Sequence, residues 1–121
     1  MTAQRIQLSR RKGWRKPDGA VSVARPHQYG NPFRIGVRIP VFWDTGTGNI
    51  EAETRAEAVA YFRDWMNGVV DIPDTARPDV ASLMGHNLAC WCPLDEPCHA
   101  DVLLELANRS VQLRRNEGTE K

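Results

Sequence analysis

Apolar and polar residues alternate along several short stretches of the chain, as is typical of half-buried β-strands. Residues 35–43 alternate less regularly around Pro40 and predict an edge strand. The Gly- and Thr-rich residues 45–49 are expected to form a flexible loop. The stretches that predict the other strands are residues 5–9, 20–24 and 88–92.

Two longer segments place apolar residues on one face with the period of an α-helix. The first spans residues 55–67, where Thr54 and Glu57 form a capping box and Gly68 supplies the C-terminal stop. The second is predicted to start at residues 95–97, with an acidic N-cap and a proline in the first turn. A shorter helix is predicted for residues 78–84. The apolar face of the first helix comprises Ala58, Tyr61, Phe62, Trp65 and Met66.

Strands that alternate with helices predict an α/β fold, a small three-layer Rossmann-like domain with a partly parallel sheet. The length of 121 residues suits one domain. We assign residues 1–113 to this domain and residues 114–121 to a frayed polar tail. The sequence has no apolar run of membrane-spanning length and no signal-peptide pattern, so we expect no membrane partner and a cytoplasmic location.

The net charge of +1 hides a strong asymmetry along the chain. Residues 1–43 carry nine Lys or Arg and one acid, whereas residues 44–121 carry seven Lys or Arg and fourteen acids. This basic first part favours an anionic small molecule or a nucleotide as ligand. Residues 10–16 place five basic side chains around Trp14, which suits the phosphates and bases of nucleic acid. A solvated surface loop is the alternative interpretation of that run.

All three cysteines lie close together and a histidine follows the last of them. Cys90, Cys92, Cys98 and His99 could supply four ligands to a zinc ion. Alternatively, Cys98 and His99 are catalytic residues of a ligand pocket, because a helix N-terminus lowers a thiol pKa and binds anions. A third interpretation is core packing, since free cysteines are often buried. The sequence leaves these three alternatives open.

A second candidate ligand-binding segment is the loop of residues 25–33. Arg25 would bind an anion, Asn31 would hydrogen-bond a polar edge, and Tyr29 or Phe33 would stack on a base. The alternative is a rigid loop that packs its aromatic rings into the core. In α/β sheets, the loops that follow the carboxyl ends of strands meet at one edge. We therefore expect Arg25, Asn31, Cys98 and His99 to line a single pocket.

The two loops carry sequence motifs that resemble a known family. Residues 23–26 read VARP and lead into GNPF at 30–33, while residues 88–92 read LACWC and lead into PCHADVL at 97–103. In these motifs the chain is similar to phage and actinobacterial domains of unknown function, the domain of unknown function 4326 family. The resemblance covers roughly residues 6–108. It implies an α/β fold and a site at these loops, but no particular activity.

Two functional hypotheses follow from the sequence. The first is a cytosolic domain that binds a nucleotide-like or phosphorylated ligand at a Cys/His-containing pocket and acts as an enzyme of nucleotide or nucleic-acid metabolism. The second is a non-catalytic, zinc-stabilised module that binds nucleic acid or a host protein through its basic N-terminal half. The sequence identifies neither the ligand nor the reaction.

Overall fold

The structure is a computed structural model that describes residues 3–25 and 28–119, with side chains described up to residue 109. Pro26 and His27, within the predicted ligand loop, lie outside the described residues. A short 3₁₀ helix, Ala81–Leu83, precedes the last strand. The strands and α-helices are β1 (Arg5–Gln7), β2 (Val21–Ser22), β3 (Arg38–Trp43), β4 (Gly46–Glu51), α1 (Arg55–Met66), β5 (Leu88–Cys90) and α2 (His99–Thr119).

The first, second and fifth strands form a parallel sheet in the order β1-β5-β2. Leu88 of β5 pairs with Arg5 on one side and with Val21 on the other. All three residues of β5 are buried, as expected for the central strand of a parallel sheet covered on both faces. The mixed α/β architecture and the parallel sheet confirm that part of the sequence prediction. Because the strands are parallel, the loops after β2 and β5 start at the same sheet edge.

The third and fourth strands form a separate antiparallel hairpin. Trp43 pairs with Gly46 across a two-residue turn, and Pro40 pairs with Asn49 in a ribbon whose edges tolerate proline. The prediction of a flexible loop at residues 45–49 was wrong, because residues 46–49 belong to β4. Glycine at position 48 lets the Trp43 ring pack close to the backbone of β4, because a Cβ on Gly48 would lie 3.1 Å from this ring.

Helix α1 matches the prediction closely. The Thr54 hydroxyl accepts a hydrogen bond from the Glu57 amide at 3.1 Å, and the Glu57 carboxylate accepts one from the Glu53 amide at 2.8 Å. Gly68, with φ of +80°, follows the helix in the left-handed conformation that glycine adopts without strain. Of the predicted apolar face, Ala58, Phe62 and Trp65 are buried, and Tyr61 and Met66 are partly buried against the core.

Helix α2 differs from the prediction at its start. It begins at His99 rather than at residues 95–97, and the Cys98 carbonyl accepts a hydrogen bond from the Asp101 amide at 3.0 Å. Residues 93–96 instead form a turn, with the Glu96 amide bonded to the Pro93 carbonyl. The helix predicted for residues 78–84 is only a 3₁₀ turn. The backbone of α2 continues to Thr119, past the predicted domain end at residue 113.

Both helices contribute to one hydrophobic core. Phe62 and Trp65 of α1, Leu103 of α2 and Leu88 of β5 belong to the same buried cluster. This packing fixes the start of α2 beside the end of β5, which is where the candidate site lies. Within the described residues, no helix is both long and apolar enough to cross a membrane.

Candidate ligand and metal site

A cavity of about 530 Å³ opens at the carboxyl edge of the parallel sheet. Its walls come from the loop after β2, the loop after β5, the first turns of α1 and the start of α2. The structure therefore brings the two predicted loops together. Among the predicted site residues, Arg25, Asn31, Phe33, Cys90, Cys92, Cys98 and His99 line the cavity.

Tyr29 is the predicted site residue that does not line the cavity. Its hydroxyl hydrogen-bonds the Ser82 hydroxyl at 2.8 Å, and its ring packs against the core. Phe33 does reach the cavity wall but is only 2% exposed, and its ring packs against Tyr61 and Trp65. The two aromatic rings thus follow the core-packing alternative rather than the predicted base-stacking role.

Asn31 uses both ends of its amide within the protein. Its Nδ2 donates to the Ala58 carbonyl at 3.1 Å, and its Oδ1 accepts from the Phe33 amide at 2.8 Å. The side chain therefore holds the loop against α1, since a buried amide must find such partners. This arrangement differs from the predicted contact with a ligand's polar edge.

Arg25 stands at the exposed side of the cavity, and its guanidinium donates to the Asn31 carbonyl at 2.6 Å. A Cβ on Gly30 would lie 2.8 Å from Cγ of Arg25, so the loop needs glycine at this position. Partial burial and the neighbouring Arg34 lower the pKa of Arg25, while the cysteine sulfurs raise it. The guanidinium is therefore close enough to the thiols for their charge to act on it.

Arg5 of β1 holds the loop after β5 in place. Its guanidinium donates to the carbonyls of Pro93, Leu94 and Glu96 and also to the Asp101 carboxylate. The side chain is 8% exposed, so these bonds satisfy a nearly buried cation. One arginine thereby connects the sheet, the loop and α2 behind the thiols.

The three thiols form a compact group. Their sulfurs all lie within 4.8 Å of one another, and the Cys90 and Cys92 sulfurs are 3.8 Å apart. All three cysteines are free. A tetrahedral zinc ion with Zn–S bonds of about 2.3 Å holds its sulfurs about 3.8 Å apart. The group can therefore hold a metal ion through three thiolates.

The thiols of Cys90 and Cys98 are coupled. The Cys98 S–H donates to the Cys90 sulfur, and this hydrogen bond is the main cause that lowers the pKa of Cys90 and raises the pKa of Cys98. Burial raises both pKa values, while the backbone amide of Cys92 helps to lower that of Cys90. The hydrogen bond thus favours the charged form of Cys90 over that of Cys98. The raised pKa of Cys98 is opposite to the lowering that a helix N-terminus predicts.

His99 is buried against the sheet rather than among the thiols. Its Nε2 lies 2.7 Å from the Val23 carbonyl, and because a carbonyl only accepts, Nε2 carries the proton. Burial lowers the pKa of His99, so the ring is neutral and its Nδ1 is an acceptor, 3.7 Å from the Cys98 sulfur. The group of close donor atoms that could hold a metal ion consists of the three sulfurs, without a ring nitrogen of His99. Of the four predicted metal ligands, the structure therefore brings the three cysteines together.

The lining of the cavity also contains two arginines and a tryptophan that the sequence interpretation did not assign: Arg34, Arg55 and Trp91. Arg55 lies in the first turn of α1, 3.8 Å from the Glu96 carboxylate. Trp91 is 44% exposed, and the Arg10 guanidinium lies 4.8 Å from the centre of its ring. Of the three, Arg34 could have been predicted from the sequence, because it directly follows the GNPF motif. Among the described lining residues there are three arginines and no acid.

The fold and the site define the class of protein: a small α/β domain in which thiols and arginines share one cavity at the edge of a parallel sheet. The model of a family described as "Domain of unknown function (DUF4326)" matches residues 6–109, and the chain belongs to this family. Neither the curated proteins nor the solved structures contain a significant match to the chain.

Proposed function

We propose that the cavity binds a phosphorylated or nucleotide-like anion. The observation that carries this proposal is the lining of the cavity by Arg25, Arg34 and Arg55 without an acid among the described lining residues. Guanidinium groups form paired, charge-assisted hydrogen bonds with phosphate and carboxylate oxygens. Helix α2 begins at the same wall, and the positive end of its dipole favours negative charge there.

The dimensions of the cavity support a small ligand. A volume of about 530 Å³ is within the range of about 300–1,000 Å³ that is usual for sites of small molecules and cofactors. Apolar side chains such as Ala58 and Val59 line the cavity together with the arginines. A ligand with an anionic group and a less polar body would satisfy both kinds of wall.

Calorimetric titration with inorganic phosphate and with adenosine monophosphate tests this proposal. A charge-assisted hydrogen bond contributes roughly 1.5–3 kcal/mol, so Arg25→Gln should weaken binding about tenfold or more. Arg38→Gln is the matched control, because Arg38 is an exposed residue of β3 that does not line the cavity. Absence of binding by the wild-type protein, or equal binding by both variants, would refute the proposal.

We also propose that the metal held by the three thiols is zinc. The support is the thiolate donor set and the sulfur separation of 3.8 Å, which fits a tetrahedral zinc ion. Arg5 behind the loop, and the buried start of α2, hold the donors in position. Bound zinc would draw the end of β5 and the start of α2 together.

A catalytic role is the alternative use of the same thiols. The chain would then be an enzyme of nucleotide or nucleic-acid metabolism, with a thiolate nucleophile in the cavity. The Nδ1 of His99 is an acceptor 3.7 Å from the Cys98 sulfur, and the pKa of Cys90 is lowered. A sulfur bound to a metal is not free to attack a substrate. Metal content therefore distinguishes the two roles of the cluster.

A second candidate function is binding of nucleic acid, as the charge of residues 10–16 suggests. The specific observation is that Arg10 packs over Trp91, which connects the basic segment to the rim of the cavity. Binding of a labelled single-stranded oligonucleotide should weaken with salt, by a slope of about 0.7 per phosphate contact. Replacing the basic side chains should flatten this slope, and failure to bind at low salt removes this function. These side chains are Arg10, Arg11, Lys12, Arg15 and Lys16.

We propose that the fold is a Rossmann-like three-layer arrangement, in which ligands bind beyond the carboxyl ends of strands. The β1-β5-β2 order of parallel strands supports this arrangement.

The free thiols also bear on the location of the protein. Three free thiols within 4.8 Å of one another would oxidise readily outside a reducing compartment. We therefore propose that the protein works in the cytoplasm.

A further inference from the structure

The metal site has one donor fewer than a closed structural site. Structural zinc sites have four protein ligands, whereas sites that bind a substrate keep three and leave one position open. Within the described part of the chain, the group that could hold a metal consists of Cys90, Cys92 and Cys98 only. What occupies the fourth position therefore decides what kind of site this is.

His99 is the nearest candidate for that position, and its geometry does not suit the role. Its Nε2–H is engaged by the Val23 carbonyl at 2.7 Å, and its ring packs edge-on against Phe62 at 5.3 Å between centres. These two contacts fix the ring in the core. Its Nδ1 is within hydrogen-bonding distance of one of the three sulfurs, that of Cys98. His99 thus supports one ligand from behind.

All three cysteines line the cavity, together with Arg25, Arg34 and Arg55. The sulfurs also raise the pKa of Arg25 through their charge. An anion bound in this cavity can therefore contact both a guanidinium group and a metal ion held by the sulfurs. Three thiolates and one divalent ion also sum to a single negative charge, which the arginines can balance along with a bound anion.

We infer that the three cysteines hold a divalent metal ion whose fourth position opens into the cavity, where an oxygen of the anionic ligand coordinates it beside Arg25. This inference rests on the proposed binding of an anion in the cavity. It assigns to the metal a ligand-binding role. The ligand class is an oxyanion, such as a phosphate group, that reaches the metal with one oxygen and the guanidinium with another.

Cobalt(II) in place of zinc makes the coordination visible, because its visible absorption reports geometry and its near-ultraviolet bands report bound thiolates. We expect one cobalt per chain, and inorganic phosphate should shift the visible bands while the thiolate bands persist. Arg25→Gln should raise the phosphate concentration required about tenfold or more. The control Arg38→Gln should titrate like the wild-type protein.

X-ray absorption of the zinc-loaded wild-type protein distinguishes an open fourth position from coordination by His99. With an open position, the spectrum should show three sulfurs and one light atom without imidazole scattering.

Imidazole scattering, or a cobalt spectrum that ignores phosphate, would overturn the inference, as would failure to bind cobalt. Calorimetry with phosphate on the metal-free protein distinguishes this failure from failure of the proposed function. Retained binding there would leave the arginine-lined anion site intact.

Discussion

The buried polar side chains around the cavity act first on the protein itself. The amide of Asn31 connects its loop to α1, and the guanidinium of Arg5 connects the loop after β5 to the sheet. Gly30 allows the close approach of Arg25. These residues hold the loops, while the groups left to face a ligand are the sulfurs and the arginines. At the scale of residues, the site thus consists of chemical groups on loops that other side chains hold rigid.

The buried ring of His99 should make stability depend on pH. Because burial lowers the pKa of His99, the folded protein keeps the ring neutral while the unfolded chain binds a proton near pH 6.5. This part of the stability is fully present above pH 6.5 and is lost as the pH falls toward the folded pKa. We expect the free energy of unfolding in urea to decrease from pH 7 to pH 5, by at most about 1.4 kcal/mol per pH unit from this one group.

The difference between two variants measures the pH dependence that His99 causes. Cys90, the pKa of which is also lowered, adds a dependence of the same sign, mainly through its hydrogen bond with Cys98 and to a smaller extent through the charge of His99. His99→Gln should therefore reduce the pH dependence, whereas His86→Gln, at an exposed position, should leave the contribution of His99 in place. An unchanged pH profile in His99→Gln would show that this ring is not kept neutral by burial.

Residue types and spacing indicated seven of the sixteen described residues that line the cavity, but not the role of each residue. The motifs selected two loops that the structure brings to one cavity, since the parallel strands bring their carboxyl ends to one edge. Asn31 and Phe33 were predicted to contact a ligand because polar and aromatic loop residues often do so. In the structure, Asn31 hydrogen-bonds the backbone of α1 and Phe33 packs against Tyr61. Arg55 was not assigned because its distance from the thiols along the chain is bridged only by the tertiary fold.

At the scale of elements, α1 stabilises the fold through one large side chain. Trp65 is 2% exposed and packs edge-on against Phe33 and Phe62. Trp65→Ala removes this contact and leaves a cavity, so it should cost about 3–5 kcal/mol of unfolding free energy. Trp43→Ala, on the hairpin and 40% exposed, should cost much less. Equal losses in urea unfolding would show that the α1 face is not the main core contact.

Local signals predicted α1 well because they agree with one another. A capping box, an apolar face and a terminal glycine all mark the same helix. They failed for β4, where the residues that suggest a loop, Gly46 and Gly48, lie against the Trp43 ring instead. They also placed the start of α2 too early, because the carbonyls of Pro93, Leu94 and Glu96 accept hydrogen bonds from Arg5 of a distant strand. Tertiary contacts, absent from a local pattern, decided both cases.

At the scale of the whole molecule, the charge asymmetry of the sequence has a partial structural explanation. The basic first part contributes Arg25 and Arg34 to the cavity and Arg10 to its rim. The acidic second part supplies partners such as Asp101 to Arg5 and Glu51 to Arg38. The two halves therefore contact each other through ion pairs, while the arginines of the cavity give the site its positive character.

Metal binding should stabilise the whole fold, because the three thiols connect separate elements. Cys90 ends β5, Cys92 lies in the following loop, and Cys98 directly precedes α2. Protein purified without chelator should contain about one zinc per chain, and removal of the zinc should lower the melting temperature. A ligand that binds only the folded state adds about 4.1 kcal/mol when its concentration is 1,000 times its dissociation constant.

Elemental analysis, thiol titration and thermal melting together check this expectation. Cys92→Ser removes the thiol of the most exposed of the three cysteines. It should lower both the zinc content and the effect of chelator on the melting temperature. Ser22→Ala, on the short strand β2, is a control that leaves the thiols intact. If the purified protein holds no zinc, melts alike with and without chelator, and yields three titratable thiols, the metal site is refuted. The lowered pKa of Cys90 would then direct attention to thiolate chemistry in the same cavity.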